Sequence, residues 1–288
     1  MIIVNHADSL RLRKTGGHGG ILNVAVSSNV GKHRPNNEDN FIIGEMWNSF
    51  SSDIVSDTIQ KEIPFPEWLC IGVFDGMGGG ENGELASAFA AREFQKVFAS
   101  VPVSVQTEEL DEIVKTAIRS ANRKIVEGNE ISSILGTTAT VICTDGKRFK
   151  VYHIGDSRAY LLRDNRLFQL TTDQTLATLK IQAGYYNEDD AEAEADRHKL
   201  TEYVGKDPTS AGIAPLESQW LELQPQDKLL LCSDGLYDLC PNAKIFALLN
   251  TDRSLREIAD DLVNTALENG GLDNITCMIA GVQTASGG

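Results

Sequence analysis

The sequence predicts an α+β fold, a four-layer αββα sandwich in which two antiparallel β-sheets lie face to face and helices cover their outer faces. Three observations predict it. Short β-rich runs recur through most of the chain, several of them are joined by tight turns, and three longer segments have the apolar spacing of amphipathic helices. Because each strand and each helix must bury one apolar face, hairpins in series between such helices favour helices packed outside stacked sheets.

The predicted strands have alternating or continuous apolar character and a high content of β-branched residues. In chain order they are Ile21 to Ser27, Phe41 to Met46, Trp68 to Phe74, Thr138 to Thr144, Arg148 to Ile154, Ala159 to Arg163, Arg166 to Leu170, Lys228 to Cys232 and Ile275 to Val282. Asp145-Gly146 and Asp164-Asn165 each lie between two of these runs. Both pairs are typical of two-residue hairpin turns, because Gly and Asn tolerate a positive φ.

The predicted helices have apolar residues three and four positions apart. The first spans Gly83 to Ala99, and we expect it to bury Leu85, Ala88, Phe89, Val97 and Phe98. The second has one apolar face running from Leu110 to Ile125, and the third has one from Leu255 to Leu267. Ser254 and Glu257 resemble a capping box at the start of the third helix.

The composition indicates one globular domain after a polar, glycine-rich leader. We expect residues 1–20 to be loosely ordered and residues 21–288 to form the domain. Mean hydropathy is -0.20, and no apolar run approaches the ~20 residues of a membrane span. Since the first residues also lack a signal peptide's basic region, the sequence predicts a cytoplasmic protein without a membrane segment.

The charge and the cysteines exclude other classes of protein. With 26 basic and 41 acidic residues the chain carries a formal charge of -15, which repels polyanions, so we expect no nucleic-acid partner. The cysteines number five and contain no C-x-x-C pair, which fits neither a disulfide framework nor a zinc site. We expect them to be reduced and mostly buried.

No familiar nucleophile motif is present. A cysteine-based phosphatase loop, G-x-S-x-G, H-E-x-x-H and G-x-x-x-x-G-K-[ST] are all missing. The five histidines are scattered singly, and of these only His33 and His153 lie near candidate site residues, which are Arg34 and Asp156. The chemistry must therefore come from another residue type.

Four aspartates lie where predicted strands begin or end. Asp75, Asp156 and Asp234 each follow an apolar run, and Asp273 directly precedes one. One acid at such a place is ordinary turn chemistry. Four at the edge of a core repel one another unless a cation lies among them, so together they indicate a metal site.

The ligand type and a neighbouring arginine suggest the reaction. Oxygen ligands without Cys or His pairs select Mg²⁺ or Mn²⁺ over zinc. Glu38 and Asp39 add two more acids just before a predicted strand, and Arg34 adds a planar cation that matches two phosphate oxygens. The sequence therefore predicts a phosphate monoester hydrolase, in which metals activate a water and no protein nucleophile is needed.

These residues fall in a series of motifs that resembles the metal-dependent PP2C-type (PPM) protein serine/threonine phosphatases in their bacterial form. The match covers roughly residues 21–282, in the family's order. Its motifs are Arg34-x-x-x-Glu38-Asp39, Val73-Phe-Asp75-Gly76-Met-Gly-Gly79, Gly136-Thr-Thr-Ala139, Gly155-Asp156-Ser-Arg158, Leu170-Thr-x-Asp173, Ser233-Asp234-Gly-Leu-x-Asp238 and Asp273-Asn274-Ile-Thr276.

The resemblance implies a role for each candidate residue, with the metals in a cleft at one edge of the sandwich. Asp75 would bridge two Mn²⁺ or Mg²⁺ ions beside the Gly76 carbonyl, Asp234 and Asp273 would complete one ion, and Glu38 with Asp39 would serve the other directly or through water. Arg34 would hold the substrate phosphate, and with Asp75 and Asp234 it would carry the catalysis. Asp156, with Asp238 as a second candidate, matches positions that bind a third metal in many bacterial members.

The resemblance also implies a mobile flap and a class of partner. Residues 173–205 would form the flap beside the cleft, and the run from Asn187 to Asp196, with six acids in ten residues, would be a short solvated helix on it. The substrates would be phosphoproteins modified by a cognate Ser/Thr kinase, and we expect a monomer. Two departures stand out: Met77 replaces the histidine that is a proposed general acid in animal members, and Gln174 replaces a histidine common in bacterial relatives.

Two other functions fit parts of the sequence. Gly78-x-Gly80-x-x-Gly83 matches the dinucleotide fingerprint of an oxidoreductase, although Asp75 would bring a carboxylate to the pyrophosphate. A catalytically silent module of the same fold that binds phosphoproteins is the other alternative. Its signature would be the loss of Asp75, Asp234 or Asp273, and all three are present.

Overall fold

The computed structural model describes residues 20–44, 46–47, 58–64, 68–78, 82–101, 105, 107–128, 135–207 and 213–284. The predicted leader therefore lies outside the described residues, apart from Gly20, which begins the first strand. Gly79 and Gly80 of the glycine-rich segment lie outside them as well.

Groups of consecutive strands alternate with groups of helices along the described chain. The strands are β1 (Gly20–Asn29), β2 (Asp39–Ile43), β3 (Met46–Trp47), β4 (Ile59–Pro64), β5 (Leu69–Gly78), β6 (Leu135–Thr137), β7 (Ala139–Thr144), β8 (Arg148–Ile154), β9 (Arg158–Arg163), β10 (Arg166–Gln169), β11 (Leu216–Glu217), β12 (Leu221–Glu222), β13 (Lys228–Cys232) and β14 (Ile275–Thr284). The helices are α1 (Gly83–Ala99), α2 (Thr107–Gly128), α3 (Leu176–Gln182), α4 (Ala191–Asp196), α5 (Asp234–Tyr237), α6 (Asn242–Leu249) and α7 (Leu255–Glu268).

The described strands form two antiparallel sheets. Sheet A has the order β10-β9-β13-β14-β1-β4, and sheet B has the order β11-β8-β7-β5-β2-β3, with β12 pairing β8 and β6 pairing β5. Strand β5 pairs antiparallel with both β2 and β7. A dinucleotide-binding unit needs a parallel strand–helix–strand crossover at this place, so the oxidoreductase alternative is wrong.

Three clusters of apolar side chains fill the spaces between the four layers of sheets and helices. The first fills the space between the sheets, with Val24, Phe41 and Leu231 among its buried residues. The second lies between sheet B and α1 and α2, and the third lies between sheet A and the helices from α5 to α7. The predicted αββα sandwich is therefore confirmed, because each sheet buries one face on the other sheet and one on helices.

Most predicted elements are confirmed, with shifts at their ends. Helix α1 has the predicted bounds, and its buried side is built more from alanines and Phe94 than from Leu85 and Phe89, which are only partly buried. The predicted run from Phe41 to Met46 is two strands, because Gly44 turns the chain at a φ of 58°. Strands β4, β6, β11 and β12 and helices α3, α5 and α6 are short elements that the sequence pattern did not predict.

Several local predictions are confirmed. Gly146, Asp164 and Asn165 have positive φ values of 79°, 49° and 54°, as the two hairpin turns require. The Ser254 hydroxyl accepts the Glu257 N–H, and both halves of the capping box are present. All five cysteines are free and buried. Among the described helices, none is long and apolar enough to cross a lipid bilayer.

Candidate active site

The ends of β2 and β5 place two acids side by side in sheet B. Asp39 begins β2 and stands opposite Asp75 in the strand pairing. The backbone of Asp75 is held from the next strand: its N–H donates to Thr138 Oγ1 at 2.9 Å, and its carbonyl accepts the Thr138 N–H and the Thr137 hydroxyl, both at 2.8 Å. Hydrogen bonds on both sides of the residue fix the direction in which the Asp75 side chain leaves the strand.

Sheet A brings its acids to the same edge of the sandwich. Asp234 follows the end of β13 and Asp273 precedes β14, and these two strands are neighbours. Ser233 links the sheets, since its hydroxyl donates to Asp39 Oδ2 at 2.7 Å and accepts the Thr276 N–H at 2.9 Å. The cluster is therefore built from both sheets.

The loop before β2 is held by one amide side chain. Asn274 Nδ2 donates to the carbonyls of Val30 and Asn36, both at 2.9 Å, and its Oδ1 accepts the Glu38 N–H at 2.8 Å. These three bonds occupy the amide on both sides. They position the loop that carries Arg34 and Glu38.

Two glycines allow the chain to close around Glu38. The Gly76 N–H donates to the Glu38 carbonyl at 3.1 Å, and a Cβ on Gly76 would lie 2.2 Å from the Gly83 carbonyl oxygen. A Cβ on Gly83 would lie 2.7 Å from the carboxyl carbon of Glu38. No larger residue fits at either position without moving the carboxylate or the start of α1.

The clustered carboxyls perturb one another. Burial, followed by repulsion from neighbouring aspartates, raises the pKa of Asp75 and of Asp156 well above the ordinary value. Burial raises the pKa of Asp39 to about 7, against the lowering effect of the Ser233 hydrogen bond. Desolvation and the neighbouring Asp234 raise the pKa of Asp238 to about 6. These directions are those of anions gathered without a compensating charge.

The residues present fit a divalent cation. Asp39 is 3% exposed, and its Oδ1 has no hydrogen-bond partner among the described residues, whereas its Oδ2 is bonded to Ser233. An oxygen left without a partner inside an anionic cluster is one that a cation would satisfy. The donors nearby are carboxylate oxygens, which suit Mg²⁺ and Mn²⁺.

His198, which has no predicted role, also reaches the cluster. His198 Nδ1 lies 3.5 Å from Asp234 Oδ2, and its Nε2 lies 3.7 Å from Asp238 Oδ2. One donor atom each from Asp156, His198 and Asp234 lie within 4.8 Å of one another. The hydrogen bond to Asp234, with smaller charge effects, raises the pKa of His198 to about 9. His198 stands alone in the sequence, so its place depends wholly on how residues 173–205 fold back.

Arg34 lies at the rim of the cluster and is 47% exposed. Its Nη2 donates to Asp273 Oδ2 at 2.6 Å, and the charges of Glu38 and Asp234 also act on it. The guanidinium therefore meets a carboxylate of the cluster, and part of it faces solvent.

The structure thus brings the predicted acids together at one edge. Asp39, Asp156, Asp234 and Asp273 all act electrostatically on Asp75, Glu38 lies beside Arg34, and Asp238 joins through His198. Thr138, Ser233 and Asn274 have no predicted role, although each belongs to one of the family motifs. In the sequence Ser233 and Asn274 each stand next to a candidate acid, whereas Thr138 has no acid beside it.

The two departures from the family pattern have different surroundings. Met77 is partly buried, and its methyl carbon would lie 2.6 Å from a Cβ on Gly136. Gln174 instead holds the chain next to Asp156: its Oε1 accepts the Gly155 N–H at 2.7 Å, and its own N–H donates to the Gly155 carbonyl at 2.8 Å.

A sandwich of two antiparallel sheets whose strand ends gather hard oxygen donors defines a metal-dependent phosphatase domain. The chain belongs to the protein phosphatase 2C family, because the family model described as "Protein phosphatase 2C" matches residues 54–279. The expected family resemblance is therefore confirmed.

Similar proteins and similar solved structures are named serine/threonine phosphatases as well. The chain is 31% identical over 210 residues to a serine/threonine phosphatase stp of Listeria welshimeri, which covers 72% of this chain and 82% of the relative. It is 30% identical over 265 residues to the serine/threonine protein phosphatase PstP of Mycobacterium tuberculosis, which covers 91% of this chain and 45% of PstP. A serine/threonine phosphatase of S. agalactiae superposes with a TM-score of 0.76 at 26% identity, over 91% of this chain and all of that one. The catalytic domain of PstP in complex with two manganese ions superposes with a TM-score of 0.70 at 29% identity, over 91% of this chain and 99% of that one.

Proposed function

We propose that the acidic cluster at the edge of the sandwich is the active centre with which this chain, a protein serine/threonine phosphatase, removes phosphate from phosphoserine and phosphothreonine. The observation that carries the proposal is the convergence of Asp39, Asp75, Asp234 and Asp273 from two different sheets around a buried oxygen without a partner. A catalytically silent relative has no need to keep so unfavourable a group of charges.

The arrangement supports a definite set of metal ligands. Acids from both sheets act electrostatically on Asp75, which would bridge two ions, with Asp234 and Asp273 serving one ion and Glu38 and Asp39 the other. The Gly76 carbonyl would lie beside the bridge. Asp156 and Asp238 would serve a third ion, and Asp156 and Asp234 already place oxygens within 4.8 Å of each other. When bound, the ions would neutralise the phosphate dianion and lower the pKa of a water held in line with phosphorus.

The protein's own groups orient the ester. Arg34 can turn its exposed guanidinium edge to two phosphate oxygens while Asp273 holds its Nη2, so the substrate would meet an arginine that is already oriented. The carboxylates would hold the ions that attract the phosphate, and no side chain needs to form a covalent bond to phosphorus. Since Met77 has no titratable group, the proton for the leaving serine oxygen would come from water or from another side chain.

The proposal also covers the flap, the metal used in the cell, the partner kinase, the oligomeric state and the location of the protein. Residues 173–205 form a segment with two short helices beside the cluster, and we propose that they act as the flap of the domain extending from residue 21. Mn²⁺ or Mg²⁺ as the cellular metal, a cognate Ser/Thr kinase and a monomeric state stay predictions. Five free, buried cysteines support work in the reducing cytoplasm.

Phosphate release from phosphoserine and phosphothreonine peptides tests the function. We expect turnover with Mn²⁺, none after treatment with EDTA, and recovery when Mn²⁺ is restored. Asp75→Ala should lower kcat by several orders of magnitude because it removes the bridging carboxylate. Asp189→Asn, which changes an exposed carboxylate of the flap, should keep the wild-type rate.

Two results would contradict the proposal. Near-wild-type turnover by Asp75→Ala would mean that the acid cluster is not the active centre. Tight binding of a phosphopeptide by the Mn²⁺-loaded wild type without any release of phosphate would instead support the silent binding module.

A further inference from the structure

One arginine connects the flap segment (residues 173–205) with the acid cluster. Arg158, at the start of β9, meets Asp173 with two edges of its guanidinium: Nε lies 3.0 Å from Oδ1 and Nη2 lies 2.6 Å from Oδ2. The two side chains are only 15% and 13% exposed. Its Nη1 donates to the Tyr160 hydroxyl at 3.3 Å. Such a paired, forked contact holds one geometry, which a flexible ammonium cannot reproduce.

The face of the same guanidinium lies on the ring of Tyr237, 3.6 Å from its centroid. Tyr237 ends helix α5, which begins at Asp234 and is followed by Asp238. Its hydroxyl donates to the backbone carbonyl of Asp156 at 3.1 Å. The ring on which Arg158 stacks therefore contacts the backbone of Asp156 and belongs to the helix that begins at Asp234 and is followed by Asp238.

The edge of the guanidinium meets Asp173, which is the first residue of the flap segment. Gln174, next to Asp173, exchanges two hydrogen bonds with Gly155 and accepts the Thr201 N–H at its carbonyl at 2.8 Å. Beyond this base, a cavity of about 960 Å³ separates parts of the flap from the sheets, and Arg158 and Asp173 line it. Because a cavity supplies no packing contacts, the contacts at the base matter more for holding the flap.

We propose that Arg158 is a positioning residue that docks the flap segment and holds Asp156, Asp234 and Asp238 in a single arrangement. The inference rests on the proposed function, because it assigns these acids to cation binding. Asp39 and Asp75 have other supports, from Ser233 and Thr138, so the two sides of the cluster should respond differently to the loss of Arg158.

The same strand offers a matched control. Arg163, at the other end of β9, also meets an aspartate with its fork: Nε lies 2.8 Å from Asp227 Oδ1, and the pair is more deeply buried than the Arg158–Asp173 pair. Nothing in the pair's described hydrogen bonds leads to the acid cluster. Arg163→Lys therefore shows what the loss of a buried fork on β9 does by itself.

The experiment compares Mn²⁺ binding to the metal-free full chain, without substrate, for the wild type, Arg158→Lys, Tyr237→Phe and Arg163→Lys. Isothermal titration gives the affinity of each class of sites, and hydrogen exchange followed by mass spectrometry reports on residues 173–205. We expect Arg158→Lys to weaken one class of Mn²⁺ sites by about 10- to 100-fold, the usual effect of losing a group that orients a ligand, and to speed exchange in the flap.

The other two variants distinguish docking of the flap segment from positioning of the acids. Tyr237→Phe keeps the ring under the guanidinium and loses the bond to Asp156, so we expect weaker Mn²⁺ binding with an unchanged flap. Arg163→Lys should lower the melting temperature and leave both Mn²⁺ binding and flap exchange unchanged.

Three outcomes would overturn the inference: wild-type Mn²⁺ affinities in folded Arg158→Lys, an equal loss at every Mn²⁺ site, or the same loss in Arg163→Lys. Failure of the proposed function would look different, because the wild type would then release no phosphate from phosphopeptides. The Mn²⁺ titration needs no substrate, so it judges Arg158 in either case.

Discussion

Uncharged side chains hold the charged ones in this protein. The Asn274 amide makes hydrogen bonds to three backbone groups of the loop that carries Arg34 and Glu38, and the Ser233 hydroxyl donates a hydrogen bond to Asp39. These neutral groups fix the positions of Glu38 and Asp39 without neutralising their charges. At the scale of single residues, this division of work leads to predictions for Arg34 and for a buried histidine.

Arg34→Ala should act mainly on substrate binding. If the guanidinium holds the phosphate in the ground state and the transition state alike, its loss raises KM by about 10- to 100-fold, the equivalent of about 1.5–3 kcal/mol of charge-assisted hydrogen bonding, with a smaller change in kcat. Steady-state kinetics on a phosphopeptide measures the two constants, and Arg92→Ala, on the exposed side of α1, is the control. An unchanged KM would mean that Arg34 does not touch the phosphate.

His153 should make the fold sensitive to acid. It is 2% exposed and lies between the Thr140 hydroxyl and the Thr172 carbonyl, and burial lowers its pKa to about 4. In the unfolded chain its pKa is about 6.5, so on acidification the unfolded state takes up the proton first. Stability is complete above pH ~6.5 and falls by up to about 3 kcal/mol as the pH falls toward ~4.

Urea unfolding of the metal-free protein at about pH 7 and about pH 5 checks this. The comparison is between the wild type and His153→Gln, because the carboxyls of the cluster titrate in both and cancel in the difference. We expect the loss of stability at the lower pH to be smaller in His153→Gln, and His33→Gln, at an exposed position, to behave as the wild type. Equal pH dependence in all three proteins would contradict the prediction.

At the scale of elements, the site depends on how closely α1 approaches the loop before β2. The first residue of α1 is Gly83, and its missing side chain leaves room for the Glu38 carboxylate, which accepts the Gly83 N–H. The N-terminus of a helix also favours a nearby anion. A glycine that looks like part of a flexible stretch in the sequence is therefore a point of close contact between two elements.

Gly83→Ala should consequently impair the site although alanine is the better helix former. Alanine within a helix favours it by up to about 1 kcal/mol over glycine, yet here the new Cβ would lie 2.7 Å from the Glu38 carboxyl carbon. We expect weaker Mn²⁺ binding and lower kcat without a gain in melting temperature. In the control, Gly128→Ala at the end of α2, the Cβ would lie 3.6 Å from the Phe89 ring, an ordinary contact, and activity should be kept. Wild-type Mn²⁺ affinity in Gly83→Ala would contradict the prediction.

At the scale of the whole molecule, the two sheets bring negatively charged side chains together at one edge of the sandwich. Sheet B contributes Asp39 and Asp75, sheet A brings Asp234 and Asp273, and the chain as a whole carries a formal charge of -15. Folding without cations therefore brings together acids that repel one another, and a bound divalent ion would turn this repulsion into an attraction between the sheets.

Mn²⁺ should accordingly raise the melting temperature. An ion that binds only the folded state stabilises it by about 2.7 kcal/mol at a concentration 100 times its dissociation constant. Asp75→Asn should reduce this gain and also make the metal-free protein more stable than the metal-free wild type, because one charge has left the cluster. Differential scanning calorimetry with EDTA or with Mn²⁺ measures both effects. Asp189→Asn is the control, and a metal-free Asp75→Asn protein no more stable than the wild type would contradict the prediction.

The sequence by itself determined the layers of the fold and most of the candidate ligands. Apolar periodicity is a local property, so it predicted α1, α2, α7 and the long strands, and an acid next to a buried strand can be seen wherever it occurs. Short elements such as α5 and β6 have too few residues to show a period, and they were found only in the structure.

Tertiary structure alone decided which residues meet. His198 reaches Asp234 because of the path that residues 173–205 take, Arg158 contacts both Asp173 and Tyr237, and Ser233 bridges two sheets. These contacts join residues far apart in the chain, or depend on the path of a segment between them. Spacing along the sequence carries no such information, because the direction of a side chain is set by the packing of layers that assemble only when the whole domain folds.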